Sequence, residues 1–161
     1  MISYGFYKVY DSLLQIILKG LEEISLNKMI KWLEKNKGIS WAITLFIFIL
    51  IFYVSSLKFP PSALGPQSIN ATIYHMFIFF LLATFLFISV LERRWELKKI
   101  SVALLIATIY AALDELHQFF VPERFCSVED FLLDFTGIIF ASLIYFVLIE
   151  KNNSNFYSGK Y

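Results

Sequence analysis

Cysteine is almost absent: Cys126 is the single one in 161 residues. That excludes an intramolecular disulfide and any cysteine-based zinc cluster. Charge is scarce as well. Asp, Glu, Lys and Arg make up 17% of the chain and the net charge is +1, so electrostatics gives no case for a nucleic-acid partner. The first 38 residues are interrupted by charges throughout and lack the compact apolar core of a secretory signal. No cleavable signal peptide is therefore expected, and membrane insertion starts at the first uncleaved span. No internal repeat stands out.

What fills the chain instead is apolar surface. Hydrophobic residues make up 58% and aromatics 19%, with a mean hydropathy of +0.67, more than a soluble domain of this length carries. They come in four blocks, roughly Ile39–Leu57, Ala71–Leu91, Ile100–Val121 and Val128–Ile149. Each is long enough for a hydrocarbon core of about 30 Å at about 1.5 Å per residue. The expected fold is all-α: a polytopic membrane protein of four transmembrane helices, preceded by an amphipathic helical segment.

Three regions follow. The first is residues 1–38, in which 1–24 carries apolar residues on one face (Tyr10, Leu13, Leu14, Ile17, Leu21, Ile24) and Lys8, Asp11, Gln15, Lys19 and Glu22 on the other. Ser25 or Asn27 ends this helix and caps a shorter one that runs to about Glu34. A Lys-rich polar face suits helices lying on an anionic membrane surface; the plainer alternative is packing on the chain's own bundle. Residues 39–150 form the spans. The tail 151–161 is polar and expected to lack fixed structure. Between spans, the Pro- and Gly-containing stretch 58–70 reads as a loop, and Pro122–Ser127 as a tight turn that makes spans three and four antiparallel neighbours.

Lys and Arg set the orientation. Of the 14 such residues, only Lys58 and Arg124 fall outside the N-terminal segment, the loop between spans two and three, and the tail. The positive-inside rule then places both termini in the cytoplasm of a cell-membrane protein.

Against this apolar background, Asp114, Glu115, His117 and Gln118 sit at the outer end of span three. Arg124 follows in the turn, Asp130 and Asp134 enter span four, and His75 enters span two. Asp114 and Asp134 each lie roughly 9 Å below the outer end of their spans, and His75 about 6 Å below. Three helices thus bring polar groups to one level. Ionisable groups in a bilayer are costly, and a shared, water-accessible cavity reduces that cost. Asp114, His117, Gln118 and Val121 share one helical face. Glu115 lies about 100° round and faces a different neighbour, Arg124 or span two. Gly137 and Ala141 form a small-xxx-small pair below Asp134, which lets another backbone come close. Arg124 suits a carboxylate partner or an anionic ligand group. Any of these groups taken singly can be an interhelical bond or ion pair. Their concentration at one depth is what points to a site.

The run from Asp114 to Arg124, followed by Asp130, Asp134 and Gly137, resembles the signature of the VanZ-like membrane proteins. In that family an Asp-Glu-x-x-Gln element leads through a Pro and Arg turn to an Asp-x-x-x-Asn/Asp-x-x-Gly helix. His75 and Phe79 match the family's histidine and following aromatic. The Asp-Lys pair usual before that histidine is Ala71 and Thr72 here. The resemblance covers about residues 40–149. It implies a membrane protein related to founders that reduce susceptibility to the glycopeptide teicoplanin.

Three functions compete. One is binding of an amphiphilic envelope molecule (a lipid, a lipid-linked precursor or a lipoglycopeptide), with His75, Asp114, Glu115, His117, Gln118, Arg124, Asp130 and Asp134 lining the site. The second is a membrane-embedded hydrolase or transferase. Its candidate catalytic residues are His117, Asp114 and Glu115; His117 or His75 would act as general base, oriented by Asp114 or Asp134. Cys126 and Ser127 lack any nucleophile motif. The third is a small proton-coupled transporter, disfavoured because the ionisable groups cluster in the outer half alone. His75, His117, Asp114 and Asp134 are chemically able to ligate a metal, but without diagnostic spacing, so neither metal nor cofactor is assigned. Membrane lipids are the expected partners, and assembly into oligomers is compatible with the sequence.

Overall fold

The computed structural model describes residues 26–58, 69–91, 96–124 and 126–158, excepting the side chains of 26, 27, 69, 70 and 148–158. The amphipathic stretch expected over 1–24 lies outside the described residues. The described residues form five helices: α1 (Leu26–Lys35), α2 (Lys37–Ser55), α3 (Ile69–Leu91), α4 (Leu97–Phe119) and α5 (Val128–Ser158). No strand occurs among the described residues. The last four are long and apolar enough to cross a membrane, over 37–55, 71–91, 97–119 and 128–147.

The expected spans are all present, with shifted ends. α4 begins at Leu97, ahead of the expected Ile100, because the Lys98–Lys99 pair continues the helix, with Lys99 Nζ on Glu96 Oε2 at 2.8 Å. α5 runs through Ser158, so most of the tail expected to be unstructured is helical. No Gly or Pro interrupts residues 138–158, and nothing in that stretch forces the helix to stop.

α1 packs on the bundle. Ile30 and Leu33 are buried in the common core, while Met29 and Trp32 are half exposed beside them. Asn36 makes the joint to α2. Its side-chain amide donates to Trp32 O at 2.7 Å, closing α1, and its carbonyl accepts from Ile39 N, opening α2.

The spans alternate up and down, and α3 is central, packing against every other helix. Half of its apolar window is buried (50%), against 28–33% for the other three. Those other faces carry the large exposed apolar side chains, such as Leu45, Phe46, Ile49, Leu105, Ile109 and Leu143. This belt suits lipid rather than water.

Small residues decide the closest contacts. α4 turns Ala103, Ala107 and Ala111 inward at every fourth position, all at 0% exposure. On α5, Gly137 meets α3 directly. A Cβ there would overlap the carbonyl oxygen of Met76 and come within 3.0 Å of Phe80 N. The small-residue stripe of α5, with Ala141 buried below Gly137, therefore lets the α3 and α5 backbones meet.

At the α1 end of the bundle the buried polar groups are neutral and paired. Ser40 Oγ donates to Leu33 O at 2.6 Å, Thr44 Oγ1 to Ser40 O at 2.9 Å, and Thr44 and Ser89 share a 3.1 Å hydroxyl contact between α2 and α3. The opposite end collects the charges.

Candidate functional site

At that end the C-termini of α2 and α4 meet the N-termini of α3 and α5. His75, Asp114, Glu115, Gln118, Asp130 and Asp134 are all buried there. The expected polar layer is thus one region, but it is divided in two.

The first part joins α4 to α2. Asp114 has a donor on each oxygen: Ser55 Oγ at 2.6 Å on Oδ1 and Gln118 Nε2 at 2.9 Å on Oδ2. His117, one turn along the same face, sets Nε2 2.9 Å from Ser56 Oγ and lays its ring on Phe52 at 4.6 Å between centroids. Asp114 and His117 both bond α2, through Ser55 and Ser56, while Gln118 bonds Asp114 within α4. The histidine–aspartate pair in the structure is His75 with Asp134.

The second part joins α3, α4 and α5. His75 Nδ1 lies 3.0 Å from Asp134 Oδ1, and Asp134 is at 0% exposure. Glu115 is at 4% and points the other way from Asp114. Its Oε2 accepts the backbone N–H of Ser127 at 2.8 Å. Glu115 reaches span two, one of the two expected neighbours: one ligand atom from each of His75, Glu115 and Asp134 lies within 4.8 Å of the others. Among the described residues, Asp134 Oδ2, Glu115 Oε1 and the Tyr74 hydroxyl are buried oxygens without a hydrogen-bond partner.

The turn between α4 and α5 explains how Glu115 is held. Ser127 is the N-cap of α5, with its Oγ accepting from Asp130 N at 3.3 Å and its carbonyl from Phe131 N. In a capping box the residue at the third helical position reaches back to the cap's own N–H. Here Glu115, from the preceding helix, takes that N–H in place of Asp130. Asp130 stays buried on the first turn of α5, within electrostatic reach of His75 and Glu115. Earlier in the turn Glu123 adopts φ 72°, a left-handed conformation costly for a residue with a side chain. It carries Arg124, half-buried, to within electrostatic reach of Asp114 and Tyr74.

Ser55, Ser56 and Ser127 complete these contacts and the Tyr74 ring lies edge-on to His75 at 5.7 Å between centroids; none of the four was among the expected site residues. The Ser55-Ser56 pair, polar residues at the end of span one and at the level of Asp114, was the available signal. Tyr74 beside His75 gave none.

Four spans closing around a buried cluster of carboxylates and histidine define a small multi-pass membrane protein with an ionisable centre near one face. The family model described as VanZ/LLP1 matches residues 26–149, and the chain belongs to that family. The match begins at α1, earlier than the resemblance at about residue 40, and so includes the short helix with the four spans. No curated protein and no solved structure matches the chain.

Proposed function

We propose that the protein binds an amphiphilic molecule of the cell envelope, with the headgroup at the polar layer and the apolar part along the bundle. The observation that carries this is the stacking of two surfaces on the same helix pair. His75 and Asp134 join α3 to α5. Beginning at that level and running on along the same pair, Ile73, Met76, Phe77 and Phe80 of α3 and Gly137, Phe140 and Ile144 of α5 line an apolar groove. Ile73, Phe77 and Phe140 are each more than half exposed, so the groove opens on the lipid-facing side. A chain lying there reaches the polar layer without crossing the bundle. Arg124 supplies a guanidinium for an anionic headgroup. The Lys and Arg distribution supports an outward-facing layer with both termini in the cytoplasm. Lipids, lipid-linked precursors and lipoglycopeptides such as teicoplanin all have this headgroup-and-chain form.

A second reading, a membrane-embedded hydrolase or transferase, draws on the His75–Asp134 pair, which has the geometry of a general base and its orienting carboxylate. In that case His75, rather than His117, is the base.

Native mass spectrometry of the protein released from membranes, beside Arg124→Ala, tests the binding reading. A lipid or lipid-linked species that co-purifies with the parent chain and is lost from the folded variant is the expected result. The same adducts in both, or none in either, count against it. Turnover of such a species that disappears in His75→Ala with binding retained favours the enzyme.

A further inference from the structure

We propose that His75, Glu115 and Asp134 form a binding site for one divalent transition-metal ion, Zn²⁺ or Mn²⁺. Three observations converge on it. First, the three side chains come from three helices, α3, α4 and α5, and each brings a ligand atom to within 4.8 Å of the others. His75 Nδ1 and Asp134 Oδ1 stand 3.0 Å apart, the spacing of neighbouring ligand atoms around an ion with bonds of about 2.1 Å. Glu115 has enough rotatable bonds to close the remaining gap.

Second, the site has unused donors. Asp134 Oδ2 and Glu115 Oε1 are buried without a hydrogen-bond partner, on residues at 0% and 4% exposure. Each oxygen left so in a protein interior is unfavourable by about 1–3 kcal/mol. Asp114, the adjacent residue, shows that this chain can satisfy a carboxylate completely at the same depth.

Third, the donors suit a cation. Carboxylates enclosed by apolar helices call for positive charge, and buried Asp130 within electrostatic reach adds to that demand. Imidazole with carboxylates is a donor set suited to zinc or manganese. The N–H of Ser127 on Glu115 Oε2 is the outer contact that fixes a ligating carboxylate. Three protein ligands leave at least one coordination position for water or for an anionic oxygen. The ion requires no bound amphiphile, so the site stands or falls apart from the binding reading.

The full chain, purified in detergent and stripped with a chelator, is re-equilibrated with Zn²⁺ or Mn²⁺, and bound metal is measured by mass spectrometry. About one ion per chain is expected in the parent and in Glu129→Gln, which alters an exposed carboxylate nearby. Binding is expected to weaken at least about tenfold in Asp134→Asn and Glu115→Gln. No ion above the buffer level in the folded parent, or full occupancy in both variants, overturns the site. Should either variant fail to fold, His75→Cys with Co²⁺ decides. A thiolate-to-cobalt charge-transfer band appears if position 75 ligates, and cobalt bound without that band overturns it.

Discussion

Asp114 and Glu115 are neighbours in the chain and equally buried, yet one is finished and the other is not. Asp114 receives a donor on each oxygen and ties α4 to α2. Glu115, with Asp134 across from it, keeps one oxygen of its carboxylate unpartnered. Stability favours the first arrangement, because an unsatisfied buried acceptor is unfavourable and a satisfied one roughly neutral. A fold that completes one carboxylate and leaves two incomplete beside it sets a structural tie next to the proposed metal site. The α1 end sharpens the contrast: there the buried polar side chains are hydroxyls with partners.

This difference can be broken or refined by substitution. The largest effect is expected at Gly137. An added Cβ meets the Met76 carbonyl, so Gly137→Ala pushes α3 from α5, pulls His75 from Asp134 and leaves Ser55–Asp114 in place. Overpacking of this kind is unfavourable by about 3 kcal/mol, which reversible unfolding in mixed micelles would register. Asp114→Ala comes next, stranding Ser55 and Gln118 for a loss of about 2 kcal/mol. Ser127→Ala removes the cap of α5, a loss of about 1 kcal/mol, and loosens the backbone that holds Glu115. The smallest change is expected for Asp134→Asn, within about 1 kcal/mol of the parent, since the amide can keep the bond to His75 in a setting where interhelical hydrogen bonds contribute modestly. If Asp134→Asn proved as damaging as Asp114→Ala, the distinction between tie and site would fail.

Most of the architecture was legible because bilayer spans announce themselves through length and apolar content. The close approach at Gly137 and the common depth of His75, Asp114 and Asp134 were legible for the same reason: helical rise is regular. Partner choice was not. The pattern Asp114, His117, Gln118 defines a face but not its neighbour, and the packing of α4 turns that face to α2. Glu115, set aside by the same pattern, became the link to His75 and Asp134. Ser127 was read as part of a turn, and its role as both helix cap and donor to Glu115 needs the two helices placed. The polar tail was taken for unstructured because it lacks apolar periodicity; α5 simply extends through it.

The contact between Tyr145 and Glu34 bears on how the chain is made. The tyrosine hydroxyl reaches Glu34 Oε1 at 3.2 Å, across 111 residues of sequence, and the tyrosine ring stacks on Phe87. Among the described helices α1 is made before the four spans, and its partner Tyr145 on α5 comes after the other three. α1 packs on α2 and α3 as well, with Ser40 Oγ on Leu33 O, so it can be seated before α5 inserts, and the bond to Tyr145 is added afterwards. The Tyr145–Glu34 bond is therefore a late clasp on a helix already held by the first two spans.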